Sequence, residues 1–561
     1  MDFRKKDCLA YALMKEHDSE LYGYAPAYKG SGEEELVYGY DLFKSYYVYE
    51  HGATEKDYHD YCAKLESYGF DLYSSNAANG NLFATYFDGE NIVNVSYISY
   101  KDTDKYVVRN VSYVLISVDS VRNSTLPCKA EKFEEVTTVK VSLVGFTALM
   151  VRLTDGRFLV VDGGMDRDRI YNALCEQNVL GGKPIVAAWM FSHAHGDHMN
   201  GFYHTLEDHA DDVVIERIIH GFPGEELYLP YKNYMEGLPN IEGEWMGRRN
   251  TKMHNYIVEK MPDCKYTIAH AGQIFEYAGV KLEVLMTSEN LYRKLMFDSN
   301  MSSVVYSFTM PGGRMLALGD AVDGASKILR KMYGRSLKSE AVVLAHHAYN
   351  GGDEEMYANI GAKAAIWPLT FEELAAKNMV NDFTNHFDYN SVKYNFIMKK
   401  DEPAMVLYEG MSDEEITYFT PKFDVESPFV SNYAARSNPK HCLTEEQYEE
   451  GFGDAPRYYG RGEDRDIFAI DNESKTYEIT ISEVTRYEYD YYWNSLKRDG
   501  YVRLEECRDE ETPSVVFVDT HNAVRLSYAD GVLTIKVGPQ GVDVLDMDTM
   551  TVKNAMIVKP E

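Results

Sequence analysis

The sequence has few cysteines and no long hydrophobic run. Its seven cysteines are scattered over 561 residues without a Cys-x-x-Cys pair, so neither a disulfide framework nor a cysteine-ligated metal site is expected. No apolar segment reaches the roughly 18 residues that a membrane helix needs, and the N-terminal stretch lacks the apolar run of a signal peptide. We therefore expect a cytoplasmic protein that does not associate with membranes.

Basic residues are scarce relative to acidic ones. The chain has 57 Lys and Arg against 89 Asp and Glu, a formal net charge of −32. Such a surface repels phosphate backbones, so nucleic acid is not an expected partner. Hydrophobic residues make up 45% and aromatic residues 13% of the chain, which excludes a disordered protein. At roughly 150 residues per domain, the length predicts about two to four domains.

A repeated pattern divides the chain. A shift of 500 − 69 = 431 positions aligns two segments without a gap and pairs the following residues: Tyr46 with Tyr477, Thr54 with Thr485, Tyr58 with Tyr489, Tyr61 with Tyr492, Leu65 with Leu496, Gly69 with Gly500, and Asn91 with Asn522. In each copy, a threonine suited to a helix N-cap precedes aromatic and leucine residues at helical spacing, and alternating strands follow. We predict two small α+β flanking domains that arose as an internal repeat.

The repeats flank a central region in which short strands alternate with helices. Predicted strands include Phe158–Val161, Val213–Ile219 and Val280–Leu285, and this alternation indicates a layered α/β domain. The predicted organisation is an N-terminal helical segment at 1–35, a flanking domain with linker at 36–136, the central domain at 137–420, a linker or extended wrap at 421–465 and the second flanking domain at 466–561. We expect the flanking domains to bury their aromatic residues or to mediate a homodimer.

One segment of the central domain carries several groups able to do chemistry. His193, His195, Asp197 and His198 lie close together directly after a hydrophobic strand. Imidazole nitrogens and carboxylate oxygens are the usual ligands of zinc and of harder first-row metals. In a loop that leaves a strand, His193 and His195 can point toward one ion while Asp197 and His198 serve a second. The segment therefore predicts a metal site.

The spacing H-x-H-x-D-H after a strand resembles the metallo-β-lactamase fold superfamily. Three further features resemble that family in chain order: a strand ending in Asp162-Gly163-Gly164, a strand ending in Gly319-Asp320 and a strand leading into His346-His347. The resemblance covers about half of the chain, 137–420. It implies an α/β fold with an αββα sandwich core and a binuclear centre of two divalent metal ions, zinc above all, with iron or manganese as alternatives.

The resemblance also implies a role for each residue. The first metal would be bound by His193, His195 and a bridging Asp320, and the second by Asp197, His198, Asp320 and His347. Asp162 would support the metal loop, and Asn300 is a second supporting residue.

Two ligand positions stay open at this stage. His346 is the alternative to His347, because side chains alternate in an extended segment and only one of the pair can face the metals. The remaining position at the first metal would be filled by water, Asp298, His220 or His270. Of these, His270 is expected instead to cap or pack near the turn that follows it.

The branch of the family bears on the substrate. Many members carry a Gly-His-Thr-Pro-Gly segment, which this chain lacks. The segment from Asp298 to Val305, together with the histidine pair, instead resembles the branch that contains phosphorylcholine esterases and competence-associated hydrolase domains. The His-His-Gly-Ser of that branch is replaced here, since Ala348 and Tyr349 follow the pair. The substrate specificity of the branch therefore does not transfer directly.

The resemblance implies a binuclear hydrolase in which a metal-bridging hydroxide attacks the substrate. The expected substrate is a phosphodiester or phosphoryl ester, small or conjugated. Asp197 would orient the hydroxide, and His346 or Tyr349 would donate a hydrogen bond or a proton. Within the same fold, a lactonase or amide hydrolase is the alternative. Outside catalysis, the alternative is a binding or scaffold protein with a structural metal site.

Overall fold

The computed structural model describes most of the chain: residues 22–37, 45–99, 112–128, 133–223, 241–291, 299–349, 351–376, 380, 386–423, 451–453, 455, 458, 463–498, 501–507, 512–518 and 522–539. The described residues fall into two compact units. The first contains the described residues up to 423, apart from 241–246, and the second contains 241–246 together with those from 451 onward.

The first unit begins with a sheet of six antiparallel strands in the order β1-β2-β6-β5-β4-β3. They are β1 Glu33–Val37, β2 Tyr46–His51, β3 Asp71–Ala78, β4 Asn81–Phe87, β5 Asn91–Ile98 and β6 Tyr113–Ser120. Helix α1 (Glu55–Ser67) joins β2 to β3 and begins at Thr54, which forms a capping box with Asp57. Tyr58, Tyr61 and Leu65 are buried, so the predicted helical stripe packs into the core of this sheet.

Two further sheets build the central domain. The first has the order β13-β12-β10-β9-β8-β7-β21 with β11 beside β10, and the second runs β14-β15-β16-β17-β18-β19-β20. The strands are β7 Lys140–Val144, β8 Ala148–Arg152, β9 Phe158–Val161, β10 Ile185–Met190, β11 Val214–Ile215, β12 Arg217–His220, β13 Lys265–Ile268, β14 Ile274–Tyr277, β15 Val280–Met286, β16 Val305–Met310, β17 Gly313–Ala317, β18 Ala341–Val343, β19 Ala364–Thr370, β20 Tyr394–Met398 and β21 Ala404–Tyr408. The single strand predicted at Val213–Ile219 is therefore wrong, since two short strands occupy this region.

Helices connect these strands. They are α2 Arg169–Gln177, α3 Gly196–His209, α4 Ile241–Lys260, α5 Asp323–Tyr333, α6 Glu354–Ile360, α7 Phe371–Ala376 and α8 Asp413–Phe419, with 3-10 turns at Ser288–Leu291, Ser299–Ser302, Gly334–Leu337, Ala345–Ala348 and Tyr389–Ser391. Both central sheets contribute to one hydrophobic core, which contains Leu159 and Met190 from one and Val284 and Tyr306 from the other. Two sheets that share a core form a sandwich, so the predicted α/β class is confirmed.

A buried charged cluster lies where the six-stranded sheet of the first unit meets the central domain. His270 donates from Nε2 to Asp119 Oδ2 over 2.8 Å and from Nδ1 to Glu289 Oε2 over 2.9 Å. Ser45 and Ser117 donate to the two carboxylates. Burial lowers the pKa of His270, but Glu289 and Asp119 outweigh burial and raise that pKa to about 10. The cluster therefore binds a proton tightly and holds the two parts of this unit together.

The second unit contains a sheet of the same strand order, β22-β23-β27-β26-β25-β24. Its strands are β22 Glu463–Asp471, β23 Thr476–Ser482, β24 Val502–Cys507, β25 Ser514–Val518, β26 Asn522–Ala529 and β27 Val532–Pro539. Helix α9 (Arg486–Arg498) joins β23 to β24, and its bounds equal those of α1 plus 431, since 55 + 431 = 486 and 67 + 431 = 498. Thr485 caps α9 through Glu488, as Thr54 caps α1.

Some predictions concern segments outside the described residues. These segments include 1–21 of the expected N-terminal helical segment and 424–450 of the expected linker. Within the remainder of 1–35, Glu33 begins strand β1. In the part of the chain that is described, no helix is both long and apolar enough to cross a membrane.

Candidate metal centre

The H-x-H-x-D-H segment forms the loop between β10 and α3. His193 follows the end of β10, His195 is the N-cap residue of α3, and Asp197 and His198 lie in its first turn. A hydrogen bond of 2.6 Å from Thr147 Oγ1 to the Asp197 carbonyl holds the start of the helix. His193 and His198 are buried, and their ring centroids are 4.2 Å apart. The short loop thus brings all four side chains to one end of the central sheets.

Asp162 organises this loop from the neighbouring strand. Its carboxylate accepts from the Ser192 backbone N–H at 2.8 Å, from Ser192 Oγ at 2.7 Å and from His198 Nδ1 at 2.7 Å. A carboxylate facing a ring nitrogen fixes which imidazole nitrogen carries the proton. Nδ1 of His198 therefore donates, and its Nε2 is left to face the opposite side. The predicted role of Asp162 in supporting a metal loop stays a prediction.

Helix α3 packs closely against the turn that follows Asp162, and both chain segments have glycine at the contact. The backbone N–H of Gly163 donates to the His198 carbonyl over 2.5 Å, and the N–H of Gly201 donates to the Gly164 carbonyl over 2.8 Å. A Cβ on Gly201 would lie 2.0 Å from the Gly163 carbonyl oxygen, too near for any side chain. Helix α3 can therefore approach this turn only because Gly201 has no side chain.

Asp320 lies close to three of the histidines that were predicted to bind metal together with it. Its Oδ2 is 3.1 Å from His198 Nε2, 3.6 Å from His347 Nε2 and 3.7 Å from His193 Nε2. The backbone N–H of Asp320 donates to Ser303 Oγ over 3.1 Å, which fixes the carboxylate at the end of its strand. Asp320 is buried, and although burial raises its pKa, His198 and His347 hold that pKa well below its ordinary value. The carboxylate is therefore ionised.

Two ring nitrogens indicate that this cluster is built for cations. His193 Nε2 and His198 Nε2 are buried and have no hydrogen-bond partner in acceptable geometry among the described residues. Because His198 Nδ1 donates to Asp162, its Nε2 faces a second carboxylate, Asp320, and this contact needs a positive charge, either a proton or a cation. The same carboxylates raise the pKa of His198 well above its ordinary value, although burial opposes them. A divalent cation would displace that proton.

The last histidines lie in a turn that the sequence pattern did not predict. His346, His347 and Ala348 have φ values of 50°, 54° and 58°, so this segment is left-handed and not extended. The expectation that side chains alternate here was therefore based on the wrong backbone. His347 Nε2 is 3.0 Å from Asp197 Oδ2, which places His347 with the predicted second-metal residues. Burial lowers the pKa of His347, but Asp320 and Asp197 outweigh it and raise the pKa to about 9.

The side chains form two groups that share Asp320. Within each group the potential ligand atoms all lie within 4.8 Å of one another, and the groups are His193, His195 and Asp320, and Asp197, His198, Asp320 and His347. Imidazole and carboxylate donors in this number suit zinc or another first-row divalent cation. The residues present therefore fit the binding of divalent cations, and Asp320 belongs to both groups.

Of the remaining predicted residues, Asn300 and Tyr349 each form a hydrogen-bond contact with His346. Asn300 Nδ2 is 3.2 Å from His346 Nε2, so these two residues form a polar pair next to the ligand turn. Tyr349 follows them, and its backbone N–H donates to the His346 carbonyl over 2.9 Å. Ser192, which links Asp162 to the loop, was missed by the sequence analysis, although its place directly before His193 was the available signal.

The candidates for the open position at the first metal have other partners. His220 Nε2 is 3.2 Å from His254 Nδ1, and His270 is held by Asp119 and Glu289. Neither histidine joins a ligand group among the residues that the structure describes. Asp298 lies outside the described residues.

Comparisons with known proteins found one family model and several solved structures to which this chain is similar. Residues 144–331 match the model of the metallo-beta-lactamase superfamily, and no curated protein matches the chain. Among solved structures, a diphosphatase from the PhnP family is 15% identical with a TM-score of 0.23, covering 39% of this chain and 71% of that one. The metallo-beta-lactamase fold protein YhfI from Bacillus subtilis is 10% identical with a TM-score of 0.26, covering 43% and 91%. CmlA, a diiron beta-hydroxylase from Streptomyces venezuelae, is 9% identical with a TM-score of 0.25, covering 56% and 69%.

The matched region contains most of the cluster. It includes the H-x-H-x-D-H loop, Asp162 and Asp320 and ends before His346 and His347, which the geometry adds independently. Over residues 144–331, therefore, this chain is similar to the metallo-beta-lactamase superfamily.

Proposed function

We propose that this protein is a binuclear metal-dependent hydrolase that cleaves phosphodiesters or phosphoryl esters. The observation that supports the proposal is the convergence of six donor side chains in two groups that share Asp320. A single structural ion needs about four ligands and no open coordination position. Here Asp320 is shared by two donor groups, and one side of the cluster is accessible. This arrangement instead suits a reactive centre.

The cluster is open on the side of Asp197. The Asp197 side chain is 38% exposed, whereas those of His193, His198 and Asp320 are at most 4% exposed. When bound, the two cations would lower the pKa of a coordinated water and stabilise negative charge on the substrate. Asp197 is the carboxylate placed to orient a water that enters from the open side. His347 would hold Asp197 in position through the 3.0 Å contact.

His346 and Asn300 form a polar pair close to His193. Their contact of 3.2 Å holds the imidazole next to the ligand turn, and His346 is close enough to influence the pKa of His193. A donor placed near the reacting atoms stabilises the negative charge that develops there. We assign this role to His346, with Asn300 holding its ring. The resemblance of the 298–305 segment and the histidine pair to phosphorylcholine esterases supports the choice of a phosphoester substrate.

The direct test combines metal content with a substrate panel. Protein purified from metal-replete cells is analysed for bound metal and assayed with a chromogenic phosphodiester and a chromogenic lactone or ester. We expect about two equivalents of metal and turnover of the phosphodiester. Asp320→Asn removes a ligand from both groups and should lower metal content and turnover together, by a hundredfold or more in rate. Asp211→Asn, at an exposed carboxylate after α3, is the matched control and should change neither.

Other results would redirect the proposal. Turnover of lactones or amides without phosphodiesters would favour the alternative hydrolase. Metal retained in the Asp320→Asn variant at wild-type level would contradict the bridging assignment. A metal-loaded wild-type chain that cleaves neither substrate class would favour a binding or scaffold protein with a structural site.

A further inference from the structure

The histidine turn, Ala345–Ala348, has a backbone conformation that its residues do not favour. His346, His347 and Ala348 all have positive φ values, although none of them is glycine. A Cβ atom disfavours this left-handed conformation, which persists only where the surrounding structure imposes it. His347 belongs to the potential ligand group that also contains Asp197. The contacts that impose the turn therefore also determine where this candidate ligand lies.

Backbone hydrogen bonds tie the two arms of the histidine turn to the segment that carries Asp320. The His346 N–H donates to the Gly319 carbonyl over 3.0 Å, and the Gly352 N–H donates to the Ala321 carbonyl over 2.7 Å. These two carbonyls belong to the residues on either side of Asp320. Both arms are therefore anchored beside the carboxylate that the two potential ligand groups share.

One side chain connects the two arms directly. The hydroxyl of Tyr357, a residue of α6, accepts from the Ala345 N–H over 3.1 Å and donates to the Gly351 carbonyl over 3.4 Å. Tyr357 is buried, and burial raises the pKa of its phenol, so the hydroxyl keeps the proton that it donates. Its ring meets the Phe387 ring edge to face with centroids 5.1 Å apart. A Cβ on Gly352 would lie 2.8 Å from Tyr357 Cε2, so the ring is closely packed on that side as well.

The helix that carries Tyr357 has its own support. Asp353 caps α6 by accepting from the Met356 N–H over 2.7 Å. The same carboxylate accepts from Arg330 Nε, on α5, over 2.9 Å. The start of α6 is therefore held by a cap and an ion pair, and Tyr357 can brace the turn from a fixed helix.

We infer that Tyr357 is a positioning residue that holds the histidine turn in its left-handed conformation and so strengthens cation binding by His347. The inference rests on the proposed function, because it concerns a ligand of the same centre. Tyr357 belongs to neither potential ligand group, and it acts through the backbone of the turn.

The test removes only the hydroxyl. Tyr357→Phe keeps the packed ring but leaves the Ala345 N–H without its acceptor. Tyr333→Phe is the matched control, because Tyr333 is also buried and its hydroxyl donates to the Leu285 carbonyl over 2.8 Å. Tyr357→Phe combined with Ala348→Gly is the rescue variant, since glycine adopts the left-handed conformation without a steric penalty.

Cation binding is measured in the full-length protein by competition between Co²⁺ and a chelator, and the absorption of bound Co²⁺ reports its coordination. We expect Tyr357→Phe to weaken one of the two equivalents about ten- to a hundredfold, as the loss of a hydrogen bond behind a metal ligand does. Ala348→Gly should recover part of that loss, and Tyr333→Phe should match wild type. Unchanged Co²⁺ affinity in Tyr357→Phe, no recovery by Ala348→Gly, or an equal loss in Tyr333→Phe overturns the inference.

A measurement on the metal-free protein separates this inference from the proposed function. The ¹³C shift of an alanine methyl group depends on the backbone dihedral angles, so methyl-labelled alanine reports the turn directly, and Ala348→Gly assigns the Ala348 signal. Tyr357→Phe should shift this signal, and Tyr333→Phe should leave it in place. Because no metal is bound, the result tests the turn whether or not phosphodiester cleavage is found. An Ala348 signal that Tyr357→Phe leaves unchanged overturns the inference, even when the protein cleaves phosphodiesters.

Discussion

The buried His270 cluster predicts that alkaline pH weakens the first unit. The groups that face His270 are Asp119 from β6, Glu289 from the turn after β15, and the ring of Tyr47 at 6.2 Å between centroids. Raising the pKa of His270 from its ordinary 6.5 to about 10 means that the folded state binds this proton more tightly than the unfolded state. The contribution to stability is therefore complete below about pH 6.5 and is lost as the pH rises through about 10.

The size of the effect follows from the pKa. Since each pKa unit is worth about 1.36 kcal/mol, a rise from 6.5 to about 10 stabilises the folded state by up to about 5 kcal/mol at low pH. Replacing His270 by a neutral residue leaves two buried carboxylates without a cation between them, which costs on the order of 3–5 kcal/mol. The two magnitudes agree, so His270→Gln should be strongly destabilising near neutral pH and much less so near pH 10.

The assay is urea unfolding at a series of pH values from about 6 to 10. The free energy of unfolding of wild type minus that of His270→Gln should fall steadily over this range as the wild-type imidazolium loses its proton. His59→Gln replaces an exposed histidine on α1 and should keep the wild-type pH dependence. A difference in the free energy of unfolding between wild type and His270→Gln that stays constant from pH 6 to 10 would refute the reasoning. The cluster would then stabilise the unit through packing alone.

Three further predictions concern the metal centre and the flanking sheets. Asp162→Asn removes the carboxylate that orients His198, so metal affinity should fall about ten- to a hundredfold in chelator competition. Unchanged affinity would show that the loop keeps its conformation without this carboxylate. His347→Ala should lower metal content and turnover together, whereas His346→Ala should keep metal and lose activity; equal metal loss in both would place both among the ligands. Thr54→Ala removes the cap of α1 and should cost about 1 kcal/mol in unfolding of the first unit, with no change in metal content.

The candidate ligands that the structure brings together include four that lie close together in the chain. His193 to His198 fall within six positions after a hydrophobic strand, so local spacing alone brings them together. The strand Phe158–Val161 has the predicted bounds because its four apolar residues are buried on both faces. Such features depend on short-range pattern, which the sequence displays directly.

Features that depend on backbone conformation or on distant contacts were not predictable. The residue types around His346 and His347 do not predict three successive left-handed residues, because that conformation is imposed by the surrounding structure. Gly351 shows how tightly it is imposed, since a Cβ there would lie 2.4 Å from the Ala345 carbonyl oxygen.

The shared strand order of the two six-stranded sheets affects how the chain reaches its native state. In both sheets the second strand pairs with the last, so each sheet closes only when distant segments meet. Tyr46 pairs with Val118 in the first sheet, and Tyr477 pairs with Val537 in the second. During refolding, a strand of one copy can compete for the equivalent place in the other, a known route to misassembly in chains with repeated units.

One row of side chains opposes such an exchange. At matching places across the strands, the rows are Thr85, Asn94 and Ser117 in the first sheet and Val516, Arg525 and Lys536 in the second. Asn94 and Arg525 are both buried. In its own sheet Lys536 faces Glu478, whereas in the place of Ser117 it would lie between Asn94 and Tyr47 without a carboxylate. The two sheets share their strand order but differ in charge at this row, and this difference disfavours an exchange.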